Sequence, residues 1–404
     1  MASRSHVLID AGESIVADGA VARGGDTKGG SVSWSVRMRT LCGGRSEGVH
    51  VVELDNGAIT IDVLPTRGMG IWRVRRSPSP GRSPSRGGDR EGATLGWKSP
   101  VRGPVHPAFV PVFDPSGLGW LEGFDELLCR CGLESNGAPD FDGNGKLRYP
   151  LHGRIANLPA HRVELLVDEE AGRLILRGIV DESRFHFQSL RLTTSITTAL
   201  GSNEFSWADE VENFGGREAT LQMLYHFNVG QPLLRPGARI TAPVATVAPL
   251  TKVAAEAGVE TWNIMPPPRP GSAEQVYCLD LAADDAGNTR VLVDQLEGGD
   301  AVSLRFNKRT LPCLTVWRNT PAEADGYVLG IEPGTNYPNP HSFEKEHGRV
   351  VMLKGGEIWR AEVKAAWHVD SHSIAEETIA IIGLQRDREA ELVSKPHVDW
   401  SATP

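Results

Sequence analysis

Apolar and polar residues alternate in short runs along most of the chain. In residues 204–213 (EFSWADEVEN), Phe205 and Trp207 are separated by polar neighbours with a period of two. The same period recurs at 49–54, 58–64, 162–168, 173–180, 185–198, 290–295, 301–307, 310–319 and 357–367. Such alternation is typical of antiparallel strands with one buried face. Helix signals are confined to short stretches near 121–130 and 374–379. We therefore predict an all-β chain that forms a large antiparallel β-sandwich or a barrel.

One predicted strand has an unusual polar face. In residues 219–232 (ATLQMLYHFNVGQP), the odd positions up to Phe227 are mostly apolar, whereas the even positions include Gln222, His226 and Asn228. Because side chains alternate across a strand, the odd set should be buried and the even set should share the other face. A solvated face usually carries Lys, Glu and Thr. We interpret the amides and the imidazole as the lining of a concave site for a neutral polar ligand.

Composition narrows the class of protein. The 404 residues are 40% hydrophobic, which is enough for a large core. A formal net charge of -9 argues against a nucleic-acid or anionic-membrane surface. The five cysteines fit free thiols in a reducing compartment, and no basic segment followed by a long apolar run begins the chain. These features predict a soluble cytoplasmic protein and leave its oligomeric state open.

The domain organisation follows from composition shifts. Residues 75–92 (RRSPSPGRSPSRGGDREG) are basic and contain no apolar residue, so we predict a disordered insertion between two strands. A nucleic-acid-binding arm is the alternative for this segment. Residues 1–30 and 385–404 should be loosely tethered tails, which leaves one sandwich domain over 31–384.

Two further segments carry candidate chemistry. YPLHGRIAN places His152 and Arg154 on either side of a glycine, between a loop and a strand. YVLGIEPGTNYPNP is an apolar strand that ends in Glu332, a costly position for a carboxylate without partners or a function. In the alternative interpretation, Glu332 caps its loop through the N–H groups of 334–336. By itself, His226 also fits a hydrogen-bonded core histidine.

Taken together, these motifs resemble one superfamily. HGR (152–154), YHFN (225–228) and GIEP (330–333), in this order, resemble the galactose mutarotase (aldose 1-epimerase) superfamily. VLPTRGMGIW, LGWKSP, GFDELLCRCGLESNG and TVWRN further resemble its aldose-epimerase-like branch that is grouped as a domain of unknown function, DUF4432. The resemblance covers roughly 40–370 and rests on several ordered motifs, since no single one would suffice. It implies the galactose mutarotase-like supersandwich fold.

The resemblance also implies a reaction that needs neither cofactor nor metal. Glu332 would be the base that takes the proton of the anomeric hydroxyl, and His226 the acid that protonates the ring oxygen. Ring opening, rotation about the C1–C2 bond and closure then interconvert the anomers. His152 would bond the ring oxygen or a neighbouring hydroxyl, and Arg154 would hold hydroxyl groups. Substrate contacts are predicted for His152, Arg154, Arg67, Lys98, Gln222, Asn228, Trp317 and Asn319. The implied partner is a small-molecule carbohydrate.

The chain departs from the superfamily pattern at the arginine that binds substrate. The G-R-x-x-N-R loop of typical members corresponds here to GFDELLCRCGLESNG, so that Arg130 and Arg154 are both candidates. Arg67 and Lys98 could meet a carboxylate, a phosphate or a sugar hydroxyl, or could be simple surface or strand-edge charges. The identity of the sugar therefore stays open.

Two other features of the sequence have possible chemical roles, a cysteine pair and two tryptophans. Cys129 and Cys131 form a C-x-C motif that could bind a metal with His106 or His152, but one such pair is a weak metal signal. Trp120 and Trp317 lie near the matched motifs, and Trp317 in particular could stack on a sugar.

Three functions remain to be weighed. The first is mutarotation of an aldose or sugar derivative. The second is non-catalytic sugar binding or sensing on the same fold, and the third is a lyase or hydrolase that acts on a modified sugar. The presence of both His226 and Glu332 favours an enzyme over a sensor.

Overall fold

Two large sheets packed face to face make up most of the protein in the computed structural model. It describes residues 4–25, 32–76, 94–295, 299–386 and 388–402. The predicted all-β sandwich is confirmed, because long antiparallel strands dominate and helices are few. Nearly all strand pairs are antiparallel, and β19 and β27 form a parallel pair.

The strands follow the predicted alternating runs closely. In the described residues they are β1 (Arg4–Asp10), β2 (Ile15–Val16), β3 (Gly19–Gly24), β4 (Trp34–Thr40), β5 (His50–Asp55), β6 (Ile59–Leu64), β7 (Gly70–Arg76), β8 (Thr94–Leu95), β9 (Leu128–Cys131), β10 (Asp140–Phe141), β11 (Leu147–Tyr149), β12 (Arg162–Asp168), β13 (Arg173–Ser183), β14 (Ser189–Ala199), β15 (Glu204–Asn213), β16 (Ala219–Leu221), β17 (Leu224–Gly230), β18 (Arg239–Thr241), β19 (Val244–Pro249), β20 (Gln275–Leu281), β21 (Asn288–Asp294), β22 (Ala301–Asn307), β23 (Cys313–Asn319), β24 (Val328–Gly334), β25 (Val351–Leu353), β26 (Ile358–His368) and β27 (Glu391–Leu392). The α-helices are α1 (Lys252–Ala257), α2 (His341–Glu346) and α3 (Ser371–Gln385), and short 3-10 helices include Gly119–Gly123 and Ile155–Asn157.

The order of the strands shows which of them meet at the centre of each sheet. The ten-stranded sheet runs β18-β21-β22-β26-β15-β14-β13-β12-β1-β2. The thirteen-stranded sheet runs β27-β19-β20-β23-β24-β17-β9-β7-β6-β5-β4-β3, with β8 paired to β7. Two small sheets, β10-β11 and β16-β25, complete the described strands. In the thirteen-stranded sheet, β17 therefore lies between β24 and β9, although these strands are far apart in sequence.

Alternation along the strands builds the core between the two large sheets. Phe227 of β17 stacks on Trp207 of β15 with ring centroids 6.1 Å apart, and Tyr225 lies 5.7 Å from the same indole. All three side chains are fully buried. Burial of a large apolar side chain contributes roughly 1.5–3 kcal/mol, so rows of this kind dominate the stability of the sandwich. The expected burial of the odd positions of 219–232 is confirmed.

A buried ion pair crosses this core from one sheet to the other. Arg130 of β9 binds both carboxylate oxygens of Asp209 of β15, at 2.6 and 3.0 Å. Its other N–H groups donate to Thr194 Oγ1 and to the carbonyl oxygen of Met69, and the Tyr225 hydroxyl donates to Asp209. Because the charged groups are bonded on all sides, their attraction offsets much of the cost of removing them from water.

The 219–232 segment forms two strands rather than one. It is interrupted at Gln222 and Met223, where the backbone N–H of Met223 donates to Thr335 Oγ1. Before the interruption β16 pairs with β25, and after it β17 pairs with β24 and β9. A change of partner strand, which alternation cannot reveal, therefore separates Gln222 from the rest of the polar row.

The described parts of both chain ends belong to the sheets. The sequence predicted loosely tethered tails at 1–30 and 385–404, but β1 pairs with β12 and β3 pairs with β4. Near the other end, β27 pairs with β19, and Ser401 donates its hydroxyl to the carbonyl oxygen of Leu250. These tails lack long apolar runs, and their order comes from edge pairing with strands that are distant in sequence.

Two other local predictions have mixed outcomes. Helix α3 covers the predicted helical stretch near 374–379, whereas 121–130 contains only the end of a 3-10 helix followed by β9. Of the predicted insertion at 75–92, Arg75 and Arg76 end β7, and Arg75 binds Asp62 at 2.6 Å. The remainder of this insertion lies outside the described residues.

No helix in the described ranges is a candidate to span a membrane. None of the helices found there combines the length and the apolar character that a bilayer crossing requires.

The ion pair between the sheets leads to the first prediction. Asp209→Ala should lower the free energy of unfolding by about 3–5 kcal/mol, because it leaves the buried guanidinium of Arg130 without its countercharge. Glu210→Ala is the matched control, since the neighbouring Glu210 points outward to an exposed partner, Arg360, and should cost less than about 1 kcal/mol. Urea unfolding of both variants measures the difference. Equal losses would contradict a special role of the buried pair.

Candidate active site

Five neighbouring strands carry a row of side chains on the outer face of the thirteen-stranded sheet, away from the core. The antiparallel register of β17 and β24 places His226 opposite Glu332. The row continues from His226 to Cys129 of β9, and from Glu332 through Thr315 of β23 to Cys278 of β20. Strand pairing alone thus brings together a histidine and a glutamate that are more than one hundred residues apart in sequence.

His226 and Glu332 are in direct proximity. His226 Nε2 lies 3.2 Å from Glu332 Oε1, and the two residues are only 3% and 2% exposed. In the described structure neither His226 Nδ1 nor Glu332 Oε1 has a hydrogen-bond partner. No N–H group of 334–336 donates to Glu332 in this part of the chain, so the loop-capping alternative finds no support. Buried polar atoms without partners are costly, and such atoms are often supplied with partners by a ligand.

A glycine allows close packing around the pair. Gly330 lies between Asn228 of β17 and Trp317 of β23 in the next row of the sheet. A methyl group at Gly330 would approach Glu332 Oε1 to 2.6 Å and would also press on His226 and Trp317. Glycine is therefore required here because these side chains pack directly against its α-carbon.

Burial alters the protonation of both members of the pair. It raises the pKa of the Glu332 carboxyl well above its ordinary value, and the charge of Glu274 acts in the same direction. Burial lowers the pKa of His226 well below its ordinary value, helped by His152 and opposed by the side chain of Asn228. Both shifts favour the uncharged forms. Between the lowered pKa and the raised one, the pair holds a single proton.

Aromatic side chains cover the pair. Phe124 and Trp317 contact the His226 ring edge to face, with centroids 4.9 and 5.2 Å away. Trp120 and Trp97 extend this layer through Phe124, at 4.8 and 4.9 Å. The layer excludes water, which is the physical cause of both pKa shifts, and it offers ring faces for the apolar side of a sugar.

His152 belongs to the same cluster. Its ring centroid lies 5.5 Å from that of His226 and 4.6 Å from that of Trp120. His152 Nδ1 donates to the carbonyl oxygen of Asn136 at 2.9 Å, which leaves Nε2 as an acceptor. Burial lowers the pKa of His152 to about 4. A neutral imidazole with Nε2 as acceptor can bind a hydroxyl group but not a ring oxygen, so of the two predicted contacts the geometry favours the hydroxyl.

The other predicted polar residues of the strand differ in their positions. Asn228 donates to the carbonyl oxygen of Glu126 at 2.9 Å, and its Oδ1 is buried with no partner in the described structure. Gln222 lies in the break between β16 and β17 and pairs with His341 at 3.0 Å. Asn228 therefore lies next to the pair on the same strand, whereas Gln222 is engaged with the α2 segment.

Arg67 holds the covering segment in place. It is fully buried and pairs with Glu126, and it donates to Asn157 Oδ1 at 2.7 Å and to the carbonyl oxygen of Gly123 at 2.9 Å. These bonds fasten the residues on both sides of Phe124. The structure thus places Arg67 beneath the aromatic layer, as a residue that positions it, rather than at an open surface.

The remaining predicted contacts lie away from the pair. Arg130 faces the core between the sheets, so of the two candidates for the substrate arginine it has no access to the outer face. Arg154 lines a separate cavity, Lys98 is exposed in the loop after β8, and Asn319 donates to the carbonyl oxygen of Gly326. The sequence pattern could have excluded Arg130 only if the face of β9 that points into the core had been known.

The C-x-C motif lies on the same face of the sheet, with Cys129 in the row of His226 and Cys131 in the row of Leu224. Cys129 and Cys131 are buried on β9, and burial raises the pKa of each thiol well above its ordinary value. Across the ranges that the structure describes, no group of three or more His, Cys, Asp or Glu side chains is arranged to hold a metal ion. The thiols pack as small apolar groups beneath the aromatic layer.

Sequence reasoning missed three features of this site. Thr315 lies opposite Glu332 with its hydroxyl buried and without a described partner. Gly330 allows the close packing around the pair, and Phe124 covers the histidine. All three occur in motifs that the sequence singled out (TVWRN, GIEP and GFDELL). Alternation from Trp317 would have indicated that Thr315 shares its face; the contribution of Phe124 depends on a loop.

Comparison with known proteins identifies the family of the chain. The sequence model of one family, described as "Domain of unknown function (DUF4432)", matches residues 46–366. The chain belongs to this family. A comparison with curated proteins found no match.

Solved structures extend the comparison to the fold. A protein from Klebsiella pneumoniae subsp. pneumoniae MGH 78578, described as a "putative aldose 1-epimerase", shares 32% sequence identity with a TM-score of 0.90. That match covers 98% of this chain and 99% of the other. A galactose mutarotase-like protein from Clostridium acetobutylicum shares 14% identity with a TM-score of 0.55, over 83% of this chain and 99% of the other. The sequence-based assignment to the mutarotase-like superfamily and its DUF4432 branch is confirmed.

The buried carboxyl group leads to the second prediction. The pKa of Glu332 is raised in the folded state above its ordinary value of 4.5. Burial of this carboxyl therefore lowers the stability of the fold little when the pH is below 4.5, and it lowers the stability more as the pH rises towards and through the folded-state pKa. Glu332→Gln cannot ionise, and should therefore gain stability relative to the wild type as pH rises from 5 to 9, by about 1–3 kcal/mol. Urea unfolding across this range measures the gain. The exposed Glu210→Gln is the control and should change the free energy of unfolding by less than about 1 kcal/mol. A gain that shrank with rising pH would refute the assigned shift.

Proposed function

We propose that the protein is an aldose 1-epimerase-like isomerase that interconverts the anomers of a sugar, with Glu332 and His226 as its proton-transfer pair. The proposal is carried by the 3.2 Å approach of His226 Nε2 and Glu332 Oε1, both buried beneath the aromatic layer. The names given to similar structures support it, since they include a putative aldose 1-epimerase.

The chemistry needs an acid and a base at two oxygens bonded to one carbon. Glu332 takes the proton of the anomeric hydroxyl while His226 delivers a proton to the ring oxygen, and the C1–O bond of the ring opens. After rotation about C1–C2, the aldehyde closes on its other face with both transfers reversed. In the sugar-free protein burial keeps both residues uncharged, so the one proton of the pair is on Glu332. The proposed roles require this proton to pass to His226 across the 3.2 Å between them when the sugar binds. Positioned transfer of this kind is typically worth ~10²–10⁴-fold. No cofactor takes part in these steps.

Neighbouring groups hold the sugar in this proposal. His152 Nε2 accepts a hydrogen bond from one sugar hydroxyl, and Asn228 Oδ1 accepts a hydrogen bond from another. Trp317 offers a ring face to the apolar side of the sugar. The aromatic layer leaves the pair almost fully buried, so a sugar reaches it only when the covering segment around Trp120 and Phe124 moves aside. Closure over the sugar then restores the dry surroundings that strengthen the proton transfers.

The third prediction tests the pair directly. Glu332→Gln and His226→Asn should each lower kcat by about 10²-fold or more with little change in sugar affinity, because the lost interaction belongs to the transition state. Anomer-resolved NMR of freshly dissolved aldoses, with and without protein, identifies the substrate and measures the rate. His368→Asn, which alters a buried histidine of the ten-stranded sheet, is the control and should keep its activity.

Two outcomes would overturn the assignment. Retention of most activity by Glu332→Gln would show that another carboxylate is the base. A product with a composition different from that of the sugar would indicate a lyase or a hydrolase, since anomerisation leaves composition unchanged.

The fourth prediction concerns pH. Activity should decline as pH falls through the lowered pKa of His226, when a second proton joins the pair, and as pH rises through the raised pKa of Glu332, when the last proton leaves. His152, with a pKa of about 4, is neutral over the alkaline limb of the profile. His152→Asn should therefore raise KM and leave the alkaline limb of the kcat profile unchanged. An alkaline limb lost in His152→Asn would contradict these roles.

A further inference from the structure

A polar cavity lies beside the candidate active site and shares a chain segment with it. Its volume is ≈ 770 Å³, within the range of sites that bind small organic ligands. Arg154 and Gly153 line it, and both directly follow His152 of the active-site cluster. Ser135 lines it as well and precedes Asn136, whose carbonyl oxygen accepts from His152. The cavity and the His226–Glu332 pair therefore lie on the two sides of one turn.

The positively charged side chains of this cavity lack ion-pair partners in the described ranges. The cations that line it are Lys146, Arg148, Arg154 and Arg184. None of them forms an ion pair within 4.0 Å in the described ranges, whereas Arg67 and Arg130 elsewhere are fully engaged. Arg148 and Arg184 instead lie over the rings of Tyr149 and Phe187. Guanidinium groups held this way are oriented and still have N–H donors available.

The carboxylates of the cavity are occupied by the protein itself. Glu182 accepts from the backbone N–H groups of Leu133 and Glu134, at 3.2 and 3.0 Å. Asp142 accepts from the N–H groups of Asn144 and Lys146, at 2.9 and 3.0 Å. The third carboxylate, Glu134, has its pKa raised by burial and then by Glu182, against the effect of the arginines. The acidic groups thus leave the cations uncompensated by direct contact.

Two buried polar atoms point to a missing ligand. The hydroxyl of Ser135, a residue only 2% exposed, has no hydrogen-bond partner in the described structure. The same is true of the buried Nε of Arg154. A buried donor without an acceptor is costly, and a ligand oxygen would remove that cost. At the rim, the exposed rings of Phe113 and Phe187 provide apolar walls.

We propose that this cavity binds the acidic group of a sugar acid or a sugar phosphate. The anionic oxygens would accept from Arg154 and Ser135, with Arg184 and Arg148 closing the site, and the sugar ring would lie against Phe113 and Phe187. Arginine forks suit a carboxylate and a phosphate equally, through paired N–H donors. That the ligand is a sugar rests on the proposed function; that it is an anion rests on the cavity alone.

Calorimetric titration tests the proposal on the full chain. The probes are glucuronate, glucose 6-phosphate, glucose and inorganic phosphate. An acidic sugar should bind at least about tenfold more tightly than glucose, and its affinity should fall as salt is added. The tighter of glucuronate and glucose 6-phosphate identifies the acidic group. Arg154→Ala should weaken this binding about 10–100-fold and Ser135→Ala about tenfold.

The controls separate the possible failures. Arg184→Ala alters only an exposed hairpin residue, so a several-fold loss of affinity there cannot be ascribed to misfolding. Arg360→Ala, an exposed arginine of the ten-stranded sheet, should bind the acidic sugar as the wild type does. Glu332→Gln should also retain binding, so the result does not depend on whether the pair is catalytic.

Three outcomes would overturn the proposal. Glucose could bind as tightly as both acidic sugars, which would exclude an anion site. Arg154→Ala and Arg184→Ala could both bind as the wild type does, which would place the ligand elsewhere. Inorganic phosphate could bind as tightly as glucose 6-phosphate, with no binding of glucuronate, which would exclude a sugar ligand.

Discussion

The buried pair of Arg130 and Asp209 is the interaction on which the rest of the site depends. It joins β9 to the opposite sheet with both carboxylate oxygens engaged, and Tyr225 of β17 completes it. Because side chains alternate along a strand, holding Arg130 and Tyr225 inward obliges their neighbours Cys129 and His226 to face outward. A slip of one residue would bury the imidazole in the core and expose the guanidinium. One ion pair in the core therefore specifies which side of the sheet carries the chemistry.

The outer face of the same strands carries buried polar groups that lower the stability of the fold. Glu332 and His226 are buried with polar atoms unpaired, and Thr315 beside them keeps a hydroxyl without a described partner. Such atoms would be penalised anywhere in a protein, and here they persist because the large core between the sheets holds the strands in register. The aromatic layer that creates the penalty also drives the pKa values of the two residues apart, so that both side chains are uncharged and the proton of the pair rests on Glu332.

The turn that contains His152 divides two kinds of recognition. On one side a neutral imidazole, an amide and aromatic rings suit hydroxyl groups and the apolar face of a sugar. On the other side, unpaired cations around Arg154 suit an anionic group. Two residues apart in sequence, His152 and Arg154 serve different surroundings because Gly153 and the positive φ of His152 turn the chain between them.

The sequence by itself determined the fold class and named His226 and Glu332 as the candidate pair. Period-two alternation requires sheets with a buried face, and the ordered HGR, YHFN and GIEP motifs were sufficient to nominate His152, His226 and Glu332. Only the tertiary structure decided the roles of the arginines, because Arg67, Arg130 and Arg154 have the same chemistry and differ only in what lies opposite them. It also decided the order of the chain ends, the break at Gln222, and the positions of Gly330 and Phe124. Each of these depends on contacts between strands or loops that are distant in sequence, and local alternation contains no information about which strands become neighbours.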